Sequence, residues 1–337
     1  MAILDVENLH VHIPAATGKI HAVRGIDLRV DKGETLGIVG ESGCGKSLTS
    51  LALMGLLPRG TQRTAQRLAL AGRDIRTLTD RQLADIRGAE LAMIFQEPMT
   101  SLNPALTIGE QLTEVYRRHR PDDRDNARSR AIYLLDRVGI ASSSSRMGQY
   151  PHQLSGGLRQ RVMIAMALMC GPKILIADEP TTALDVTIQA QILRLLKDLQ
   201  REFEMGLIFI THDLGVVARI ADRVSVMYAG KIVESAPAAR LFDDPQHPYT
   251  KGLLSCIPTR GKKGADGQLS SIPGTVPNLA SLSEQGCAYA SRCSHMTDEC
   301  KILTPQVRQI RQTHSVSCLR APILHNLNQQ EKQNVHV

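Results

Sequence analysis

The segment Gly40–Ser47, GESGCGKS, constrains the fold of this chain more than any other stretch. It fits the pattern G-x-x-x-x-G-K-S in full, follows the apolar run TLGIVG and precedes the periodic run LTSLALMGLL. That order predicts a strand, a glycine-rich turn and a helix that ends near Pro58 and Gly60. Because such a turn aims backbone N–H groups and a helix N-terminus at phosphate oxygens, the segment indicates a nucleotide site.

The side chains of this phosphate-binding loop have separable roles. Lys46 neutralises the β- and γ-phosphates, and the Ser47 hydroxyl can ligate Mg²⁺. We expect Cys44 to act as a small space-filling residue. The candidate phosphate-binding residues are Gly40, Glu41, Ser42, Gly43, Cys44, Gly45, Lys46, Ser47 and Leu48.

A second candidate site lies where the run KILIADEP changes from apolar to acidic residues. Its apolar half predicts a buried strand with Asp178 and Glu179 at its carboxyl end. A carboxylate in that place, beside a phosphate-binding loop, can hold Mg²⁺, and we assign this role to Asp178. Glu179 points in another direction and can orient and polarise the attacking water.

Alternating strand and helix patterns predict an α/β fold. The runs LAMIFQ, KILIADE and GLIFITHD have strand length, and TIQAQILRLLKDLQREF has helical periodicity, which together favour a buried parallel sheet with helices on its faces. The run AILDVENLHVHI alternates as a half-buried strand, and GIDLRVDKGETLGIVG predicts two strands around a turn at residues 31–33. Periodic segments between residues 107 and 139 predict a helical insert, which we place at about 97–165.

Composition excludes some classes of protein and leaves others open. The hydrophobic fraction of 42% is ordinary for a globular chain, and we find no apolar stretch of the roughly 18 to 20 residues that would span a bilayer. Asp5 and Glu7 stand where a secretion signal would need basic and then apolar residues, so we expect a cytosolic chain. The net charge of +7 suits anionic lipid, nucleic acid or nucleotide phosphates, and equally a merely solvated surface.

The run LSGGLRQR at residues 154–161 places Ser155, Gly156 and Gly157 at the head of the helix LRQRVMIAMALM. This second anion-binding helix terminus is not one that the nucleotide held by the first loop can obviously also use, so it suggests a partner subunit. The run resembles the signature of ATP-binding cassette (ABC) ATPases, in which two domains sandwich ATP between the phosphate-binding loop of one and the signature of the other.

Further motifs stand in the family's order: Gln96 in MIFQEPMTSLNP, Asp185 in TTALD and His212 in ITHD. By resemblance, Gln96 senses Mg²⁺ and the attacking water, His212 contacts the γ-phosphate, and Asp185 belongs to the D-loop. The same resemblance gives Ser155, Gly156 and Gly157 the γ-phosphate held by the opposing subunit. The implied catalytic residues are Gln96, Glu179 and His212, and the implied Mg²⁺ residues are Ser47, Gln96 and Asp178.

Two positions depart from the family pattern. Leu158 stands where the family most often has glutamine, which bears on how well the signature serves the nucleotide of a partner. The aromatic residue that stacks on adenine is absent, and Ile13 occupies its approximate position, with His12 and His21 as nearby substitutes. Ile13 is therefore the candidate adenine contact.

Among ABC ATPases the chain most resembles the ATPase subunits of bacterial oligopeptide and dipeptide importers, through VGESGCGKSLTSLALMGLL, YPHQLSGGLRQRVMIAMAL and HPYTKGLL. The resemblance implies ATP hydrolysis that drives peptide import. It also implies a second, related ATPase subunit in a heterodimer, two transmembrane permease subunits, an extracytoplasmic peptide-binding protein that acts indirectly, and no nucleic-acid partner. The chain would be a peripheral protein on the cytoplasmic face of the inner membrane.

The change of pattern beyond Gly230 predicts a division of the chain. Residues 1–235 would form the ABC nucleotide-binding domain, with a RecA-like parallel sheet core, an antiparallel β subdomain and the helical insert. Residues 236–320 would form a small cysteine-containing C-terminal domain. The polar tail at residues 321–337 has a disordered composition.

Four of the seven cysteines fall within this C-terminal part: Cys287, Cys293, Cys300 and Cys318. Their spacing lacks the close pairs usual for zinc and matches no common ferredoxin pattern, yet four thiolates can complete a tetrahedral Zn²⁺ site or hold a [4Fe–4S] cluster. The resemblance favours the iron–sulfur cluster, in a structural role, with Zn²⁺ as the alternative. Cys170 and Cys256 are predicted to be buried apolar residues.

Two other functions remain open from the sequence. A soluble ABC ATPase that acts on nucleic acid would suit the basic charge and the four cysteines, although such proteins usually carry two cassettes and C-x-x-C zinc modules. A regulatory nucleotide-binding module without turnover is disfavoured, because Lys46, Asp178, Glu179 and His212 are all present.

Overall fold

The computed structural model describes residues 2–16, 18–97, 101–182, 184–257 and 271–321. Within them lie a five-stranded sheet near the N-terminus and an eight-stranded sheet that carries most of the helices on its faces. The predicted α/β fold with an antiparallel β subdomain is confirmed. The tail at 322–337 and most of the polar segment 260–271 lie outside the described residues.

The elements follow one another with short connections. The strands are β1 (Ala2–Ala15), β2 (Gly18–Asp31), β3 (Thr35–Val39), β4 (Gln62–Thr64), β5 (Arg67–Leu70), β6 (Arg73–Asp74), β7 (Leu91–Ile94), β8 (Ile174–Asp178), β9 (Gly206–Thr211), β10 (Arg223–Tyr228), β11 (Lys231–Pro237), β12 (Arg308–Arg311) and β13 (His314–Val316). The helices are α1 (Lys46–Met54), α2 (Asp80–Ile86), α3 (Ile108–His119), α4 (Ala127–Arg137), α5 (Ser143–Arg146), α6 (Gly156–Ala167), α7 (Val186–Glu202), α8 (Leu214–Ile220), α9 (Ala238–Asp243), α10 (Pro248–Ser255) and α11 (Glu299–Ile302).

The eight-stranded sheet has the order β12-β13-β11-β10-β3-β9-β8-β7. Strands β10, β3, β9, β8 and β7 run parallel, and every residue of β3, β8 and β9 is buried, as expected for strands covered on both faces. Because their carboxyl ends meet at one edge, the segments that follow β3, β7, β8 and β9 are brought together there.

The antiparallel sheet comprises β2-β1-β5-β6, with β4 also paired to β1. Its inner face carries the alternating apolar residues of β1, which the sequence predicts: Leu4, Val6, Leu9 and Val11. Irregularities in the β1–β2 register shift the alternation more than once along the two strands. The inner face packs on α1 and on one side of the main sheet, where it forms a common core.

Helix α1 is shorter than its sequence predicts. It ends at Met54, because Gly55 adopts a left-handed conformation with φ of 65° and its N–H bonds back to Ala52 and Leu51. A side chain at Gly55 would also collide with Leu83 of α2. Sequence reasoning gave no elements for the region of β4, β5, β6 and α2, which are too short for a clear periodic signal.

The predicted helical insert is present. Helices α3 and α4 coincide closely with the two periodic runs, and Thr107 begins α3 with a capping box to Glu110. The insert packs on the main core through apolar residues of α3 and α4 such as Leu112, Leu134 and Leu135. Over the described residues we find no helix that is both long and apolar enough to cross a membrane.

The C-terminal part adds to the main sheet. The predicted boundary at 235/236 falls inside β11, and β13 pairs with β11 at Glu234 and Ser235. Tyr289 and Cys293 pack on the same core as the nucleotide-binding part. In the described residues the segment after 236 therefore shares a sheet and a core with the rest of the chain, and its division as a separate domain stays a prediction.

A buried carboxylate fixes this part to the sheet. Glu234 accepts hydrogen bonds from the N–H groups of Gln246 and His247, at 2.7 and 2.8 Å, and lies 2.8 Å from His314 Nε2. All four residues are buried. Glu234 thus sets where α10 begins and ties β13 to β11.

We predict that Glu234→Gln lowers the free energy of unfolding by about 3 kcal/mol, since an amide NH₂ would face N–H donors in a buried site. Urea denaturation followed by circular dichroism measures this change. The exposed Glu299 provides the control, because Glu299→Gln should stay within about 0.5 kcal/mol of the parent. Equal stability of the two variants would contradict the assigned role of Glu234.

Candidate nucleotide and catalytic site

The candidate site forms at the carboxyl edge of the parallel strands. The phosphate-binding loop follows β3, Gln96 follows β7, Glu179 follows β8 and His212 follows β9. Strand order therefore explains why residues more than a hundred positions apart in sequence lie side by side. The sequence prediction that these motifs share one site is a consequence of this topology.

The loop fits its place only because glycines stand at its ends. A Cβ at Gly40 would lie 2.2 Å from the carbonyl oxygen of Met227, and Gly45 has a φ of 105° and would place a Cβ 2.8 Å from the carbonyl oxygen of Ala22. Cys44 is fully buried, as expected for a space-filling residue, and burial raises the pKa of its thiol. The loop is thus enclosed by backbone on two sides.

Lys46 lies at the start of α1 with its ammonium group turned back into the loop. Its Nζ donates to the carbonyl oxygens of Gly40 and Glu41, at 2.7 and 3.1 Å. Although Lys46 is only 5% exposed, the charge is therefore solvated by backbone oxygens. The same ammonium can exchange these carbonyls for phosphate oxygens.

Asp178 and Ser47 provide the oxygen atoms that a Mg²⁺ site needs. Ser47 Oγ lies 3.3 Å from Asp178 Oδ1, and Ser50 Oγ donates to Asp178 Oδ2 at 3.2 Å. Burial raises the pKa of Asp178, while the two serine hydrogen bonds act in the opposite direction. A hard divalent cation prefers such oxygen ligands, so this pair of side chains fits Mg²⁺.

One oxygen atom of Glu179 is the meeting point of three predicted or neighbouring residues. Glu179 Oε2 accepts from Gln96 Nε2 at 3.3 Å and from Thr182 Oγ1 at 3.0 Å, and lies 3.3 Å from His212 Nδ1. Glu179 has a left-handed φ of 46°, a conformation that is unusual for a non-glycine residue and is often found at functional positions. The structure thus brings together all three residues predicted to be catalytic.

The signature residues stand at the head of α6. Ser155 caps this helix by accepting the Leu158 N–H at 3.4 Å, and both Ser155 and Gly156 are exposed. A Cβ on Gly156 would meet no atom within 4 Å, whereas Gly157 lies near Ile188 of α7. Asp185 is also exposed and caps α7 through the Ile188 N–H at 2.9 Å. These groups face outward, and Leu158 is half-buried beside them.

The candidate adenine contact remains a prediction. Ile13 is half-buried and packs on the core shared by the two sheets. The two histidines near it are engaged elsewhere, because His12 and His21 stack on each other at 4.1 Å and His21 bonds to His10 and Glu284. Burial lowers the pKa of His12, which favours its neutral ring.

The four C-terminal cysteines line one small cavity, together with His247 and Tyr289. All are free thiols, and burial raises the pKa of Cys287 to about 11. In the described ranges, however, no group of three or more His, Cys, Asp and Glu residues is arranged to hold a metal ion. Cys170 is buried as predicted, and Cys256 is half-buried.

Sequence reasoning missed several residues of the site. Ser50 and Thr182 bond to Asp178 and Glu179, and only their short spacing from Ser47 and Glu179 could have indicated this. Tyr249 and Arg292 reach the phosphate-binding loop from the C-terminal part. Their sequence neighbourhood, HPYTKGLL and ASRC, carries no signal for such a contact.

Two family models match the chain. Residues 23–182 match the ABC transporter family, and residues 233–300 match the family described as oligopeptide/dipeptide transporter, C-terminal region. A solved structure with similar architecture is a dimeric ATP-binding cassette in a post-hydrolysis state bound to ADP and Pi. It aligns with a TM-score of 0.61 and 28% identity over 70% of this chain and 98% of that one.

Curated relatives are similar over almost the whole length. The dipeptide transport ATP-binding protein DppD of Bacillus subtilis is 50% identical, over 94% of each chain. The oligopeptide transport ATP-binding protein OppD of the same organism is 49% identical, over 93% of this chain and 87% of its own. This chain therefore belongs to the ABC transporter ATPases, and within them to the dipeptide and oligopeptide transport ATP-binding proteins.

We predict that Gly40→Ala destabilises the protein by about 2 kcal/mol and abolishes tight ATP binding, because the new Cβ must displace the backbone at Met227. Thermal unfolding and titration with a fluorescent ATP analogue measure the two effects. Gly156→Ala is the matched control, since its Cβ has open space, and it should not lower the stability. A Gly40→Ala variant that binds ATP normally would show that the enclosure of the loop is unimportant.

Proposed function

We propose that this chain binds and hydrolyses ATP to power the import of dipeptides or oligopeptides across the bacterial inner membrane. The observation that carries the proposal is the convergence of Gln96 and His212 on Glu179 beside Asp178, Ser47 and Lys46. The printed names of its close relatives give the transported class. They favour transport over the nucleic-acid alternative.

Each residue of the site has a task that its position permits. Lys46 and the loop N–H groups bind the phosphates, with Ser42, Gly43 and Leu48 among them, and Ser47 and Asp178 would hold Mg²⁺. Bound Mg²⁺ supplies positive charge that stabilises the transferring phosphoryl group. Glu179 accepts hydrogen bonds from its neighbours, and its carboxylate can orient the attacking water and take up its proton.

A second subunit would complete the nucleotide site. Ser155 and Gly156 are exposed at a helix N-terminus that can bind an anion, and their own chain already has a phosphate-binding loop. We therefore propose face-to-face pairing with a related ATPase subunit, in which Ser155, Gly156 and Gly157 contact the γ-phosphate held by the partner. Asp185 would lie at the same interface, and the similar cassette solved as a dimer supports such pairing.

The remaining partners follow from the transport function. The paired ATPase subunits would sit on the cytoplasmic face of the inner membrane, under two transmembrane permease subunits fed by an extracytoplasmic peptide-binding protein. The exposed Gln96 lies where the helical insert leaves the sheet, so a short permease helix docked there would sense the state of the nucleotide. Closure on ATP and reopening after hydrolysis would then drive the permease.

We also propose that the four C-terminal cysteines hold a [4Fe–4S] cluster with a structural role. Thiolates are the usual ligands of such clusters, and the four side chains line one cavity. Each thiolate of a cluster binds a different iron, so the sulfurs lie farther apart than around one zinc ion. The absence of a single-ion arrangement in the described residues therefore gives zinc no support.

We predict that Glu179→Gln preserves ATP binding but lowers hydrolysis by the assembled transporter by about 100-fold or more, because the amide cannot accept the proton of the attacking water. Steady-state phosphate release measures the rate, and size-exclusion chromatography with ATP should show a trapped closed pair. Glu204→Gln, at the exposed end of α7, is the control. An unchanged rate for Glu179→Gln would refute its assigned role.

We predict that anaerobically purified protein is brown, with iron and sulfide near four per chain, and that Cys293→Ser loses the colour and lowers the melting temperature. Visible absorption and metal analysis test this, with Cys170→Ser as the control away from the cavity. A colourless protein that contains zinc would favour the alternative ligand. A metal-free protein of undiminished stability would exclude both.

A further inference from the structure

Glu41, in the phosphate-binding loop, is held through all three of its polar groups. Its N–H donates to the Tyr249 hydroxyl at 2.9 Å, and its carbonyl oxygen accepts from Lys46 Nζ at 3.1 Å. Its carboxylate forms a bidentate pair with Arg292, at 2.7 and 3.0 Å. Two of these three contacts come from the C-terminal part of the chain, which no phosphate-binding motif includes.

Arg292 is rigidly placed for this contact. Its side chain is only 3% exposed, and its Nε donates to the carbonyl oxygen of Pro273 at 2.8 Å. The guanidinium lies 5.9 Å from the ring centres of both Tyr228 and Tyr289. Hydrogen bonding to Glu41 raises the pKa of Arg292, so the guanidinium is a permanent positive charge.

Tyr249 gives the second contact from an equally fixed position. It is fully buried near the start of α10 and packs on Tyr228 and Tyr289, at ring-centre distances of 4.6 and 5.3 Å. Because its hydroxyl accepts the Glu41 N–H, that amide is committed to the protein. The first residue after Gly40 therefore cannot swing its amide or its carboxylate freely.

The charge of Glu41 makes this arrangement consequential. A carboxylate within a loop that binds a polyphosphate repels the ligand at close range, and it competes for the ammonium group of Lys46. The bidentate pair with Arg292 neutralises that carboxylate and turns it away from the loop interior. Lys46 is then left with neutral carbonyl partners only.

We propose that Arg292 is a positioning residue for ATP: it neutralises Glu41 and so keeps the phosphate-binding loop competent for a polyphosphate ligand. The C-terminal part thus takes a direct share in nucleotide affinity. This inference rests on the proposed assignment of the loop at Gly40–Ser47 to the phosphates of ATP. It requires no metal in the neighbouring cysteine cavity.

A double-mutant cycle on the full-length chain tests the proposal, with the dissociation constant of a fluorescent ATP analogue with Mg²⁺ as the readout. We expect Arg292→Met to weaken binding roughly tenfold, by analogy with typical coupling between sites. Glu41→Gln combined with Arg292→Met should restore affinity to within about threefold of the parent, since the repelling charge is gone. Arg292→Lys, which keeps the charge, should also restore most of the affinity and covers the case in which the Met variant does not fold.

Controls separate this inference from the proposed function. Arg311→Ala, which breaks an ion pair with Asp244 in the same part of the chain, should not change the dissociation constant. Lys46→Ala should abolish binding, and if it binds ATP normally the assignment of the loop fails. If Lys46→Ala loses binding but Arg292→Met retains it, or if the double variant is as weak as Arg292→Met alone, the role of Arg292 is refuted.

Discussion

The whole structure depends on backbone contacts that fix the phosphate-binding loop between two sheets. The N–H of Gly230 donates to the Cys44 carbonyl at 2.9 Å, and the Arg24 N–H donates to the Gly230 carbonyl at 2.8 Å. Gly40 and Gly45 approach the backbone of Met227 and Ala22 too closely for any side chain. The loop is thus one joint between the antiparallel sheet and the turn from β10 to β11, so a change in nucleotide occupancy can reach both sheets.

Much of the fold could be predicted because long periodic runs dominate it. The buried strands β3, β8 and β9 and the helices α3, α4 and α7 coincide with apolar patterns that are strong enough to read alone. The end of α1 was misplaced because Gly55 stops the helix through a left-handed conformation that competes with an apolar pattern continuing to Leu57. Strand β13 could not be foreseen, since its pairing with β11 depends on contacts about eighty residues apart.

The nucleotide site was predictable for a related reason: its motifs follow parallel strands, and topology brings their ends together. The identities of Gln96, Glu179 and His212 came from ordered resemblance, and their meeting at one carboxylate oxygen is confirmed by the structure. The contacts of Tyr249 and Arg292 with Glu41 could not be predicted, because single residues from distant segments leave no local pattern. The roles of Ser155, Asp185 and Ile13 depend on other molecules and stay predictions.

The C-terminal hairpin also determines how the large sheet ends. Strand β12 is the outermost strand on that side, has only four residues, RQIR, and carries two arginines. A short, positively charged border offers few free backbone groups to an incoming strand and repels an identical copy. This edge therefore protects a protein with a large apolar sheet from self-association into aggregates, and leaves productive assembly to other surfaces.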